Sequence, residues 1–200
     1  MKNPAPVRGP RGFTLIELLV VMSLMLVLIT LGIPSLMTAI HQAKVVGIAR
    51  EMKTMMVLAQ LQAKKSSAPA VVQIVPPAVP GDKSSVRLFV DADNNQRLNG
   101  TETVVASFFL PNGVAFEDSD GKLDKASVAD LTTDPDGGPS LAIFQSDGTV
   151  SDLGAFRLAD QDGNFLEVRV TSLAGKAEIR KWDGAAYVRQ GGNGKAWTWN

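Results

Sequence analysis

The chain of 200 residues and 21.3 kDa has the length of one ordinary domain with an appendage, which excludes two large domains. Twenty basic and twenty acidic side chains cancel, a composition that excludes a globally basic nucleic-acid binder and a charge-swollen disordered chain. The absence of cysteine removes disulfides, thiolate nucleophiles and thiolate zinc sites, and a single histidine, His41, argues against a histidine-based active site.

The neutral total hides an asymmetry. Residues 1–65 carry eight basic and two acidic side chains, residues 66–175 carry seven and sixteen, and residues 176–200 carry five and two. Lys2, Arg8 and Arg11 precede residues 13–33, an apolar run whose only charge is Glu17. As a helix rising about 1.5 Å per residue, that run is roughly 31 Å long and matches a bilayer core of about 30 Å. The basic flank places the N-terminus in the cytoplasm and residues beyond about 40 outside it. A removable secretory signal is the alternative, with small residues at Thr30, Gly32 and Ser35. The run is long for such a signal, and helical patterning continues beyond it. Ile48, Met52, Met55 and Ala59 fall on one face, and Ser66-Ser67-Ala68-Pro69 ends the element. The reading is one helix over 13–64, loosened or kinked at Pro34, which removes one backbone donor.

Glu17 carries the sharpest information. A carboxylate in hydrocarbon costs about 2.5–3.5 kcal/mol even on the lenient insertion scale, and no Lys or Arg lies between Gly12 and Lys44 to pair with it. Cleavage after Gly12 would create a partner, the freed α-amino group of Phe13, in the same chain or a neighbouring one. The alternative is a protonated Glu17.

Arg11-Gly12-Phe13-Thr14-Leu15-Ile16-Glu17 resembles the prepilin signal of the type IV pilin and pseudopilin superfamily. The resemblance implies an α+β fold, a long N-terminal helix packed on an antiparallel β-sheet domain. It divides the chain into a leader (1–12), a hydrophobic helix serving as anchor, filament core and stalk (13–64), and an extracytoplasmic β-rich domain (65–200). It also implies cleavage between Gly12 and Phe13 by a prepilin peptidase, N-methylation of Phe13, and assembly through Glu17. Its implied partners are other pilins or pseudopilins in a helical filament, together with the bacterial inner membrane and its assembly platform.

From about residue 70 the pattern turns to short β-like runs, at 71–75, 86–90, 104–110, 141–144, 156–158, 165–171 and 176–182. Asp147-Gly148, Asp162-Gly163 and Asp183-Gly184 are turn dipeptides. Residues 69–80, with four prolines, read as a linker or irregular edge, and residues 117–139 as a long loop. Val86 to Asp93 followed by Glu102, Ile143 to Gly148, and Thr171 to Lys176 resemble the H-type minor pseudopilins, a branch that includes FimT-like minor pilins. Gly175-Lys176-Ala177-Glu178 departs from the Gly-Arg-x-Arg that a FimT-like DNA-binding tail would favour.

On spacing alone, residues 91–102 match an EF-hand calcium loop. Asp91, Asp93, Asn95 and Glu102 stand at positions 1, 3, 5 and 12, Arg97 offers a carbonyl at 7, and Asn99 a side chain at 9. Gln96 occupies the place of the usual glycine, and the flanks read as strands. The plain alternative is a polar turn whose Asp and Asn side chains bond local amides.

The first functional reading is a structural subunit, not an enzyme, needing no cofactor beyond a possible calcium ion. It is a minor pilin or pseudopilin acting in assembly or initiation of a type II secretion pseudopilus or a type IV pilus. The alternative is a DNA-binding minor pilin for DNA uptake, with Lys176, Arg180, Lys181, Arg189 and Lys195 interleaved among Trp182, Tyr187, Trp197 and Trp199. The simpler role for the aromatics is to anchor the final strand. A membrane-anchored enzyme is the weakest reading, because acid pairs such as Asp118/Asp120 and Asp160/Asp162 are turn-like, and His41 reads as a solvated or interfacial residue of the stalk.

Overall fold

One long helix, α1 (Leu15–Ser66), is the first element among the described residues, and Pro34 lies inside it without ending it. The computed structural model describes residues 12–77, 79, 82–100, 102–116, 128–129, 141–190 and 197. The chain divides into two units, Met1–Ala39 and Ile40–Asn200, and α1 belongs to both.

In the first unit every described residue up to Met37 is exposed, including the whole apolar run from Leu15 to Ile33. This segment is long and apolar enough to cross a membrane. Its few hydroxyls are turned back onto the helix. Ser23 Oγ donates to Leu19 O at 2.6 Å, Thr30 Oγ1 to Val27 O at 2.9 Å, and Thr38 Oγ1 to Pro34 O at 3.3 Å. Such internal bonding is what a helix surrounded by lipid requires of its polar side chains.

In the second unit α1 carries a buried stripe of Val45, Ile48, Ala49, Met52, Met55, Met56, Ala59 and Ala63, which contains all four positions expected from the spacing. Among the described residues ten strands follow, β1 (Ala70–Val75), β2 (Ser85–Val90), β3 (Val104–Phe109), β4 (Val114–Phe116), β5 (Val128–Ala129), β6 (Ala142–Phe144), β7 (Gly154–Asp160), β8 (Phe165–Val170), β9 (Ala177–Trp182) and β10 (Tyr187–Arg189). They form two sheets with antiparallel pairing throughout, one in the order β3-β2-β1-β6 and one in the order β10-β9-β8-β7-β4, with β5 also paired to β7. Two sheets replace the single sheet expected. The handover falls at the Asp147-Gly148 turn, where Phe144 bridges to Val150 before β7 pairs with β8 instead of continuing the first sheet.

Residues 70–75 correct the reading of 69–80 as a linker or edge. Pro69, Pro76 and Pro77 bracket the strand and lie outside it, leaving Ala70–Val75 free to donate on both sides to β2 and β6. The run is almost continuously apolar because both its faces are covered. Ala70, Val72 and Ile74 join the cluster that contains the α1 stripe, while Val71 joins Phe89, Leu141 and Ile143 on the other face, under Leu98. Strand β5 falls inside the loop expected over 117–139, and the rest of that stretch lies outside the described residues.

Two polar contacts fasten α1 to loops of its own unit. Gln60 Nε2 donates at 2.7 Å to the carbonyls of both Gly148 and Ala174. Gly175 follows at φ +76°, where a Cβ would stand 2.8 Å from Gln60 Nε2 and 3.2 Å from Phe144. Glycine alone meets both the left-handed backbone and the close approach. His41 is not a solvated stalk residue: its Nδ1 lies 3.2 and 3.1 Å from the two carboxylate oxygens of Asp162 in the β7–β8 turn. The fold brings that turn to the helix, which no local pattern around His41 announces.

Phe156, fully buried on β7, sits in the cluster that ties α1 to both sheets. Phe156→Ala should cost about 3–5 kcal/mol, as loss of an aromatic core side chain does. Denaturant unfolding of the full chain in detergent measures this, and a loss under about 1 kcal/mol would contradict the packing described.

Candidate functional site

The structure describes the N-terminal motif from Gly12 onward. Thr14 is the N-cap of α1, and Glu17 stands three residues later. Glu17 N–H donates to Thr14 Oγ1, while Thr14 N–H and its hydroxyl donate to Glu17 Oε2, each at 3.3 Å. This reciprocal pair is a capping box. Thr14-x-x-Glu17 ahead of an apolar run is its sequence signature, and this local role for Glu17 was missing from the reading above. The carboxylate also lies where the helix dipole favours it. Phe13 is 83% exposed, and a Cβ on Gly12 would meet no atom within 4 Å.

The acidic loop connects β2 to β3. Asp91 is fully buried, and its carboxylate accepts Asn95 N–H at 2.9 Å and Gln96 N–H at 2.8 Å. Asp93 accepts the side-chain amides of Asn95 at 2.7 Å and Asn99 at 2.8 Å. Glu102 Oε2 accepts Asn99 N–H at 3.1 Å, while its Oε1 is buried and has no hydrogen-bond partner among the described residues. One oxygen each from Asp91, Asp93 and Glu102 lie within 4.8 Å of one another. Burial first, then the nearby Asp91 and Asp93, raise the Glu102 carboxyl above the ordinary glutamate range. Positions 1, 3 and 12 of the calcium pattern are thus brought together. Asn95 turns its Oδ1 to Arg97 N–H at 2.7 Å, and Asn99 spends its side-chain amide on Asp93, so both brace the loop. Gln96 adopts φ 63°, the left-handed backbone that glycine supplies at the equivalent place in an EF-hand. The polar-turn reading and the oxygen cluster therefore describe the same loop.

The basic residues of β9 and β10 are drawn into ion pairs. Lys176 Nζ lies 3.1 Å from Glu178, Arg189 3.5 Å and Arg180 3.6 Å, and Arg180 also faces the buried Glu167 at 3.9 Å. Register explains the gathering, since Arg157, Glu167, Arg180 and Arg189 are cross-strand neighbours in a row over four strands. Lys181 is buried, and burial lowers its pKa. Lys195 and Trp199 lie outside the described residues. Trp182 and Tyr187 pack at 5.2 Å, with Arg157 5.0 Å above the Tyr187 ring, and Trp197 Nε1 donates to Val188 O at 3.1 Å. The aromatics accordingly anchor the last strands. Asp160, of the acid pair read as turn-like, accepts Asp162 N–H and Asn164 N–H at 2.9 Å.

The prokaryotic N-terminal methylation motif, as a family model, matches residues 8–33, a span that contains Gly12, Phe13, Glu17 and the exposed apolar helix. That segment of the chain therefore carries a type IV pilin-like N-terminal motif. No curated protein and no solved structure matches it.

Glu178 is held below the ordinary glutamate value of 4.5, first by its hydrogen bond from Lys176 and then by Arg189 and Arg180. Its folded form titrates below its unfolded form, so it contributes stability above pH 4.5 that is lost as the pH falls through the folded pKa. Thermal melts across the acid range should show a shallower fall for Glu178→Gln than for the parent, and parallel curves would contradict the pairing.

Proposed function

We propose that this protein is a minor pilin or pseudopilin of the H-type branch, a structural subunit of a type II secretion pseudopilus or a type IV pilus. The observation that carries the reading is the methylation motif placed at the head of a wholly exposed apolar helix that continues into the core of a β-rich domain. A prepilin peptidase cuts between Gly12 and Phe13, and Phe13 is methylated on its new amine. The helix holds the subunit in the inner membrane, with the β domain on the periplasmic side, until the assembly platform moves it into the filament. There the Phe13 amine of one subunit is the cation that Glu17 of another lacks in its own span. An array of this kind grows by heterologous contacts that do not close.

Mass spectrometry of the native protein should find a methylated Phe13 as first residue, and Gly12→Leu should leave the leader attached. Glu17→Gln isolates the charge, because glutamine still serves a capping box. It should keep the helix and lose filament incorporation by at least about tenfold, and a native start beyond residue 30 or undiminished incorporation would overturn the reading.

A second reading concerns the acidic loop. Asp91, Asp93 and Glu102 present hard oxygens that suit calcium, and the buried, unpartnered Glu102 Oε1 fits a cation ligand better than a plain turn. We propose that calcium, with Asn95, Arg97 and Asn99 bracing or completing the set, relieves the repulsion among these carboxylates and fastens the loop. Millimolar calcium should raise the melting temperature of the full chain in detergent, by about 2.7 kcal/mol of added stability at a hundredfold excess over Kd. Glu102→Gln should remove the response, and identical melts with calcium and with chelator would remove the ion.

A further inference from the structure

A cleft of about 320 Å³ opens between α1 and the end of the second sheet, wholly within the second unit. Its helix wall is Val46, Arg50 and Lys53, at spacings of four and three that put them on one face. Among the described residues neither Arg50 nor Lys53 has an ion-pair partner, whereas Lys176 and Arg189 on the facing wall already share Glu178. The lining is not all charged: Ala177, Ile179 and Trp197 give it an apolar part. The helix face continues the pattern beyond the cleft, because Val57 and Leu61 follow at further spacings of four and are 45% and 59% exposed.

We propose that this cleft and the adjoining face of α1 receive an acidic segment of a neighbouring filament subunit, one that sets carboxylates beside apolar side chains. The proposal rests on the filament-subunit reading. Two unpaired cations beside exposed valine and leucine match a partner that brings both kinds of group. Free phosphate or sulfate would use the cations and leave the apolar part unfilled. A nucleic-acid strand is disfavoured by charge, because residues 66–175 carry sixteen acidic and seven basic side chains. That same excess makes pilin-like surfaces of this composition suitable partners, by charge complementarity that sets orientation and encounter rate.

The test is fluorescence anisotropy of a labelled peptide of alternating Glu and Ala, titrated with the full-length protein in nonionic detergent. Binding that weakens with salt is expected, with the matching Lys-Ala peptide left unbound. Arg50→Gln with Lys53→Gln, both at exposed positions and verified by an unchanged melting curve, should weaken it by at least about tenfold. Absence of binding, equal affinity in the double variant, or tighter binding of a single-stranded oligonucleotide, of inorganic phosphate or of anionic vesicles would overturn the proposal. Failure of the filament-subunit reading shows elsewhere, as a native N-terminus other than Phe13.

Discussion

The start of α1 depends on one carboxylate, Glu17, set at the head of an exposed apolar helix. Among the described residues it finds hydrogen-bond donors in the N–H and hydroxyl of Thr14, which close the first turn of α1 without supplying a positive charge. The capping bonds fix where the carboxylate stands, at the head of the segment that the methylation motif covers, so one residue joins local helix chemistry to that motif.

The two parts of the helix differ in composition. Up to Met37 every described residue is exposed and apolar side chains dominate; from Val45 onward polar side chains join Val57, Leu58 and Leu61 on the exposed face, and a Met- and Ala-rich stripe turns to the strands. Small and flexible residues on that stripe let strands of both sheets share one cluster with the helix. Gln60 and His41 add the polar ties, one to two carbonyls and one to a turn carboxylate, so that loops distant in sequence are held to the helix by groups whose bonding capacity is used.

Much of this was legible in the residues alone. The span, the motif around Gly12 and Glu17, the buried helix stripe and seven of the strands are periodic or punctuated locally, and periodicity is what a sequence displays. The short strands Val114–Phe116, Val128–Ala129 and Tyr187–Arg189 were not, because three or two residues carry no period. Residues 71–75 were legible as a strand although the flanking prolines also suggested a linker over 69–80, while the division into two sheets rests on long-range pairing that no local pattern displays. At the candidate sites, spacing brought Asp91, Asp93 and Glu102 together correctly, while the neutralisation of Lys176, Arg180 and Arg189 by Glu178 and Glu167 depends on cross-strand register. Only the fold sets Arg50 and Lys53 opposite β9 and β10.

Leu98 gives the acidic loop a second duty. It lies between the loop's two carboxylate-bearing ends and closes the outer side of the first sheet, over Val71, Phe89, Leu141 and Ile143. Ionic order at the rim and dryness beneath it are therefore one event: a loop that lets go uncovers a greasy β-surface. Damage there would announce itself first as clumping and protease sensitivity of the β-rich unit.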